Sequence, residues 1–220
     1  MMEKKHKKHF IHIIAHLILM LTFSVFLTSC AEEKRIESFD PPVQGIYFGI
    51  NEEECRTTIG SDIKQLSSPD EKLSVLQAEK LQVFGFPAEA TLQFNHNPEL
   101  GLTSMNIQLA QYDEQKLLKK LEKRYGEGAP SPDDPETILY RSSIIAELSS
   151  DMQERFLTVR GNLPEGTPGA SGISKLIRDE ALVCISYHDG TLKLDGGNLA
   201  LFRIISEENQ YRTLLQELKQ

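Results

Sequence analysis

Two runs of strict period-two alternation, joined by turn chemistry, constrain this chain most. Glu89–Phe94 (EATLQF) sets Ala90, Leu92 and Phe94 against polar neighbours, and Met105–Leu109 (MNIQL) alternates in the same way. Such a pattern marks a strand with one face buried and the other wet. Asn95-His96-Asn97-Pro98 between them is turn chemistry, so the pair reads as a hairpin. Asp189-Gly190, which follows the apolar run Ala181–Tyr187 (ALVCISY), is a second hairpin signal. Hairpins rather than strand–helix–strand crossovers predict an antiparallel sheet with helices packed on one face, an α+β architecture.

The helices announce themselves at their ends. Asn51 stands before Glu52-Glu53-Glu54, where it can cap a helix while Glu54 reaches back, and Gly60 closes the segment. Cys55 and Ile59 share one face of it. A second helix is expected over 113–125, with Leu117, Leu118, Leu121 and Tyr125 as its stripe and Gly126 as terminator. A last helix follows Ser206, striped by Tyr211, Leu214, Leu215 and Leu218. Gly45–Ile50, Ile138–Tyr140, Ile144–Leu148, Phe156–Val159 and Leu199–Ile205 read as β-prone, whereas Leu73–Leu81 is open between helix and strand. Met105–Ile107 before its Leu-striped helix and Phe202–Ile204 before another look alike, which is the pattern of two similar halves. Gly126–Glu136 and Gly161–Ser174 are Gly/Pro-rich loops. The folded part is expected as one domain over 45–220.

The amino terminus is of another kind. Lys4, Lys5, Lys7 and Lys8 form a basic start, and an apolar run extends from Phe10 to Leu27. A basic region, an apolar region and small residues before a cut make a secretory signal peptide, here residues 1–29. The alternative is an uncleaved membrane anchor, since the run is at the lower edge of a bilayer span. Leu27-Thr28-Ser29-Cys30 resembles the lipobox of bacterial lipoprotein precursors. That resemblance implies that Cys30 becomes the first mature residue, carries diacylglycerol and palmitate-like acyl chains, and anchors the protein to a membrane of the cell envelope. It likewise implies a protein that faces the periplasm or the cell exterior. Ala31, where an Asp would retain a Gram-negative lipoprotein in the inner membrane, implies outer-membrane export. Residues 30–44, polar and ending near Pro41-Pro42, read as a tether.

Phe48-Gly49-Ile50-Asn51 through Ile59-Gly60 resembles the start of small envelope modules related to β-lactamase-inhibitor protein and to the small lipoprotein of the outer-membrane assembly machine. There a Gly and a hydrophobic residue precede a polar cap, an acidic helix and a closing Gly. The resemblance implies a helix laid on an antiparallel sheet and a role in binding other proteins.

Chemistry-bearing patterns are sparse. The net charge is −8, and it becomes near −11 once residues 1–29, with four Lys against one Glu, are removed. That balance argues against nucleic acid and predicts a domain held off an anionic membrane. No catalytic, cofactor or metal-ligand pattern emerges. His96 and His188 lie in or beside turns without spaced partners. Asp133-Asp134-Pro135-Glu136 lacks the ligand series of a calcium loop, and Gly166–Gly172 contains Pro168, which removes a donor from any phosphate nest. Outside the cytoplasm Cys55 and Cys184 are free to pair, closing a loop of about 130 residues, or to stay as two buried thiols. The expected function is a non-enzymatic envelope lipoprotein that binds a protein partner through loops 126–136 and 161–174. The alternatives are an extracytoplasmic enzyme acting on envelope polymers, or an inhibitor of an extracellular hydrolase.

Overall fold

The computed structural model describes residues 38–60, 62–68, 73–95, 100–161 and 181–218. The chain divides into two compact units, Met1–Ser38 and Phe39–Gln220, and all described residues but Ser38 belong to the second. Among the described residues eight strands form one sheet: β1 (Ile63–Leu66), β2 (Leu73–Val83), β3 (Phe86–Asn95), β4 (Leu102–Leu109), β5 (Ala129–Pro130), β6 (Ile138–Arg141), β7 (Cys184–His188) and β8 (Thr191–Asp195). Their order is β1-β2-β3-β4-β8-β7-β6-β5, and every pairing is antiparallel. Five α-helices accompany them among the described residues: α1 (Glu52–Ile59), α2 (Glu114–Tyr125), α3 (Ser150–Gly161), α4 (Gly197–Ser206) and α5 (Glu208–Glu217). The class is α+β with an antiparallel sheet, as the hairpin signals require.

The register turns alternation into a layer. Leu76, Leu92, Met105, Leu194, Ile185 and Tyr140 lie side by side across six strands. Each is at most 2% exposed. Each such burial contributes about 1.5–3 kcal/mol, so this row is the spine of the core. Two two-residue turns fix the register. Phe84-Gly85 and Asp189-Gly190 both have positive φ at both positions, the geometry whose twist matches that of paired strands.

The capped helices form where their end signals put them. The Asn51 side chain accepts from Glu54 N at 2.8 Å, and the Asp113 side chain accepts from Lys116 N at 3.1 Å. Leu117, Leu121 and Tyr125 are buried, and Leu118 is half-buried. Three apolar runs depart from expectation. Leu199–Ile205 lies within helix α4, with Leu199, Ala200, Ile204 and Ile205 buried. Phe156–Val159 lies within α3, where Phe156 and Val159, three apart, face inward. Ile144–Leu148 makes one bridge to Ala181 and a short 3₁₀ turn. In α4 burial on most sides overrides the β propensity of Ile and Phe, while in the other two runs the buried residues stand three apart (Phe156 and Val159, Ile145 and Leu148) with Leu157 and Glu147 exposed, a helical spacing that outweighs a weak preference. Met105–Ile107 is therefore strand while Phe202–Ile204 is helix, so the resemblance between those two stretches is not structural. Ser206 ends α4 rather than capping α5; its hydroxyl donates to the Phe202 carbonyl at 2.6 Å.

Gly45–Ile50 is not a strand either. Gly45 and Gly49 have positive φ, and the segment from Phe39 to Ile50 runs as a strap. Phe39, Asp40 and Pro41, assigned to the tether on composition, are buried in the folded unit. The strap is held at several points. Gly49 N donates to Leu102 O, and Leu102 N donates to Ile50 O, each at 2.9 Å. Asp40, the one buried acid among the described residues, takes a two-pronged ion pair from Arg203 of α4, at 2.9 Å and 2.7 Å. The carboxylate also accepts from the Phe48 amide, which donates to Oδ1 at 3.0 Å. Arg203 also donates to the Phe48 carbonyl and lies 5.4 Å from the Tyr47 ring. Arg124 of α2 donates to the Asp40 carbonyl at 2.9 Å, while Phe39 packs 5.9 Å from the Tyr125 ring. Gly196 permits this seating, because a Cβ there would meet the Phe48 ring at 2.3 Å.

Two outcomes are expected. Asp40→Ala leaves the half-buried Arg203 without its carboxylate partner, and urea unfolding should show a loss of about 2 kcal/mol; a change within about 0.5 kcal/mol would place the strap outside the cooperative unit. Gly196→Ala should cost about 1–3 kcal/mol through the clash with Phe48, read on the same urea curves.

Candidate interaction face

The side of the sheet opposite the core is set by the same register. One line across it reads Leu139, Ser186, Lys193, Asn106, Thr91, Gln77 and Lys64. The line beside it reads Arg141, Cys184, Asp195, Ser104, Gln93, Val75 and Leu66, and a shorter third reads His188, Thr191, Gln108 and Glu89. Apart from Val75, all of these side chains are exposed or half-buried. At about 4.8 Å between strands and 3.4 Å between residues, seven strands and five register positions make roughly 30 by 17 Å. That is about 500 Å², somewhat below the ~800 Å² that each partner contributes to a standard protein interface.

Its chemistry is amide, hydroxyl and balanced charge. Ser104 donates to Gln93 Oε1 at 2.7 Å, and Thr191 donates to Gln108 Oε1 at 3.0 Å. These bonds across strands hold the amides in fixed orientations. Lys64 pairs with Glu79, and Asp195 Oδ1 accepts from Gly197 N at 3.3 Å. Lys64, Lys193 and Arg141 offset Glu79, Glu89 and Asp195, so the face is close to neutral on an acidic chain. Apart from the His188 imidazole at one corner, no side chain in the three lines is aromatic, so a run of bases or sugar rings has no extended stacking platform there. Directional hydrogen bonds without net charge suit a polypeptide surface better than a polyanion.

The loop 126–136 borders this face. Ala129–Pro130 adds the edge strand β5, where Pro blocks further pairing on its own backbone. Asp134 is held below the usual carboxylate range, chiefly by the Thr137 hydroxyl, which donates at 2.6 Å. Its Oδ2 lies 3.9 Å from Nδ1 of His188, at the end of the third line. Loop 162–174, with Gly166–Gly172, lies outside the described residues, as do His96 and Cys30. No group of three or more His, Cys, Asp and Glu is arranged to hold a metal ion among the described residues. No described helix is long and apolar enough to cross a membrane.

Cys55 and Cys184 are both free thiols. Cys55 is fully buried on α1. Cys184 alternates with the core residues Ile185 and Tyr187 and therefore points to the open face. The bridge considered from sequence is thus not formed, because strand alternation turns Cys184 away from the layer that holds Cys55. Sequence reasoning missed β8 and with it Lys193 and Asp195, although Thr191–Asp195 (TLKLD) alternates cleanly. Length was the obstacle: five residues between two Gly signals gave little to weigh.

No family model, curated protein sequence or solved structure matches this chain.

Burial pushes the Cys55 thiol up from its ordinary 9.0 to about 12. The folded state then keeps it neutral while the unfolded state ionises. This stabilisation is complete below pH 9 and is lost as pH rises from 9 towards 12. Cys55→Ala should cost about 1–2 kcal/mol at neutral pH. The gap from the parent protein should narrow between pH 9 and about pH 10.5, as read from urea midpoints. A gap constant with pH would contradict the buried, neutral thiol.

Proposed function

We propose that this chain is a lipid-anchored bacterial envelope lipoprotein, non-enzymatic, that binds a protein partner across the open face of its sheet. Cys30 carries the lipid, with residues 1–29 removed as a signal peptide. The reading is supported first by Leu27-Thr28-Ser29-Cys30 at the end of the apolar run. The observation that carries the binding role is the register itself. It gathers Lys193, Asn106, Thr91 and Gln77 from four strands into one polar line while every partner residue on the reverse side is core. Loop 126–136, named from sequence as a contact element, flanks that line through Asp134 and His188. If the host is Gram-negative, Ala31 favours the outer membrane.

The strand order also supports a reading as two similar halves. β1–β4 and β5–β8 are each consecutive in space, they meet at β4 and β8, and each meeting strand leads into a helix, α2 or α4.

Asn106→Arg combined with Lys193→Glu changes the face without touching the core, and should alter stability by no more than about 0.5 kcal/mol. Cross-linking in intact cells, followed by recovery of the tagged full chain, should give a discrete adduct that the double variant loses. An adduct unaffected by the double variant would remove the open face from the partner contact. In parallel, Cys30→Ser should leave an unprocessed precursor. Normal maturation of that variant would contradict the anchor.

A further inference from the structure

The net negative charge conceals a strongly basic helix face. Lys116, Lys119, Lys120 and Lys123 of α2 stand at i, i+3, i+4 and i+7, and all four are exposed. At 100° per residue they fall within about 100° of arc, opposite the buried Leu117, Leu121 and Tyr125. Lys119 and Lys123 make no ion pair among the described residues. Lys120 donates to the Phe84 carbonyl and lies 5.3 Å from the Phe86 ring, contacts that hold its position without cancelling its charge. Lys116 pairs with Asp113 at 3.0 Å, with both side chains largely exposed. Glu122 lies at the margin of the arc, and Glu114 is turned towards Tyr187, whose hydroxyl donates to it at 3.3 Å.

The position of this face matters as much as its charge. The C-terminal turn of α2 is where the strap enters the fold, through Arg124 on the Asp40 and Pro41 carbonyls and Tyr125 against Phe39. Cys30 is nine peptide steps from Phe39, which limits their separation to about 32 Å. The lysines occupy about 10 Å of helix next to that entry point.

We propose that the lysine stripe of α2 rests on anionic phospholipid headgroups of the membrane that holds the lipid on Cys30. Which membrane the stripe meets rests on that proposed anchor, whereas its attraction to anionic headgroups rests on the lysines themselves. Charge complementarity selects the occupant, and the short covalent reach to Phe39 keeps it within range. The stripe supplies orientation: the domain has a preferred side towards the bilayer in spite of its overall charge, rather than being held off by it. A polybasic helix face of this kind adds reversible, salt-sensitive attraction to an acyl anchor.

The test uses the full chain purified from membranes and reconstituted on two vesicle types, phosphatidylcholine alone and phosphatidylcholine with roughly one phosphatidylglycerol in four. Amine-reactive labelling is read at each lysine by mass spectrometry. Labelling of Lys119 and Lys123 should fall about threefold or more on the anionic vesicles and recover in high salt. Lys193, on the open sheet face, serves as the unchanged reference. Lys119→Gln with Lys123→Gln should abolish the difference at Lys116 and Lys120 while flotation persists. Flotation with both vesicle types and equal lysine labelling would overturn the stripe and leave the anchor intact. Flotation with neither would overturn the anchor and this inference with it. Flotation with anionic vesicles alone, lost in high salt, would support the stripe and contradict the anchor.

Discussion

A single sheet with one apolar side is the constraint on which the rest of this structure depends. Across six strands the register aligns Leu76, Leu92, Met105, Leu194, Ile185 and Tyr140. A layer of that kind must be covered, and the covering is supplied by helices whose own stripes are apolar: Leu117, Leu121 and Tyr125 from α2, Leu199, Ala200, Ile204 and Ile205 from α4. The opposite side inherits the other half of each alternating strand. It is polar because the first side is not, and the same period that specifies the core specifies the proposed partner surface.

The strap from Phe39 to Ile50 ties the two ends of the described chain together. Asp40 and Arg203 are 163 residues apart in sequence and share a two-pronged ion pair. Taking an acid out of water is costly, and here the cost is offset by three donors: two guanidinium nitrogens and the Phe48 amide. The same few residues meet α2 through Arg124 and Tyr125. The folded unit thus begins several residues before Gly45, and the segment between the proposed lipid and the fold is correspondingly short.

Local signals were legible in the sequence; non-local ones were not. Asn51 with Glu54, Asp113 with its Leu stripe, and Asp189-Gly190 each act within a few residues, so their chemistry could be read directly. Leu199–Ile205 reads as a strand in the sequence and is helix in the structure, because a run apolar on nearly every side has no periodicity to reveal and Ile204-Ile205 tilt the reading towards strand. The strap failed for a different reason. Gly45-Ile46-Tyr47-Phe48-Gly49-Ile50 looks like a strand until the positive φ at its two glycines is known. The open face was half legible: the outward residues of β3 and β4 follow from alternation alone, but Lys193 and Ser186 join them only because β8 pairs with β4 and β7, a long-range choice that no local pattern encodes. The lysine stripe was missed, although its i, i+3, i+4, i+7 spacing lies in the sequence. Net charge hid its meaning, because an average over the chain says nothing about one helix face.

The proposed attachment through Cys30 would determine which neighbours this domain can meet, and intact-mass spectrometry of the protein extracted from membranes tests it most directly. The account predicts a polypeptide beginning at Cys30, heavier than residues 30–220 by a diacylglyceryl group with or without a further acyl chain. A species that retains Met1, or one that begins at residue 30 with no added mass, would contradict it.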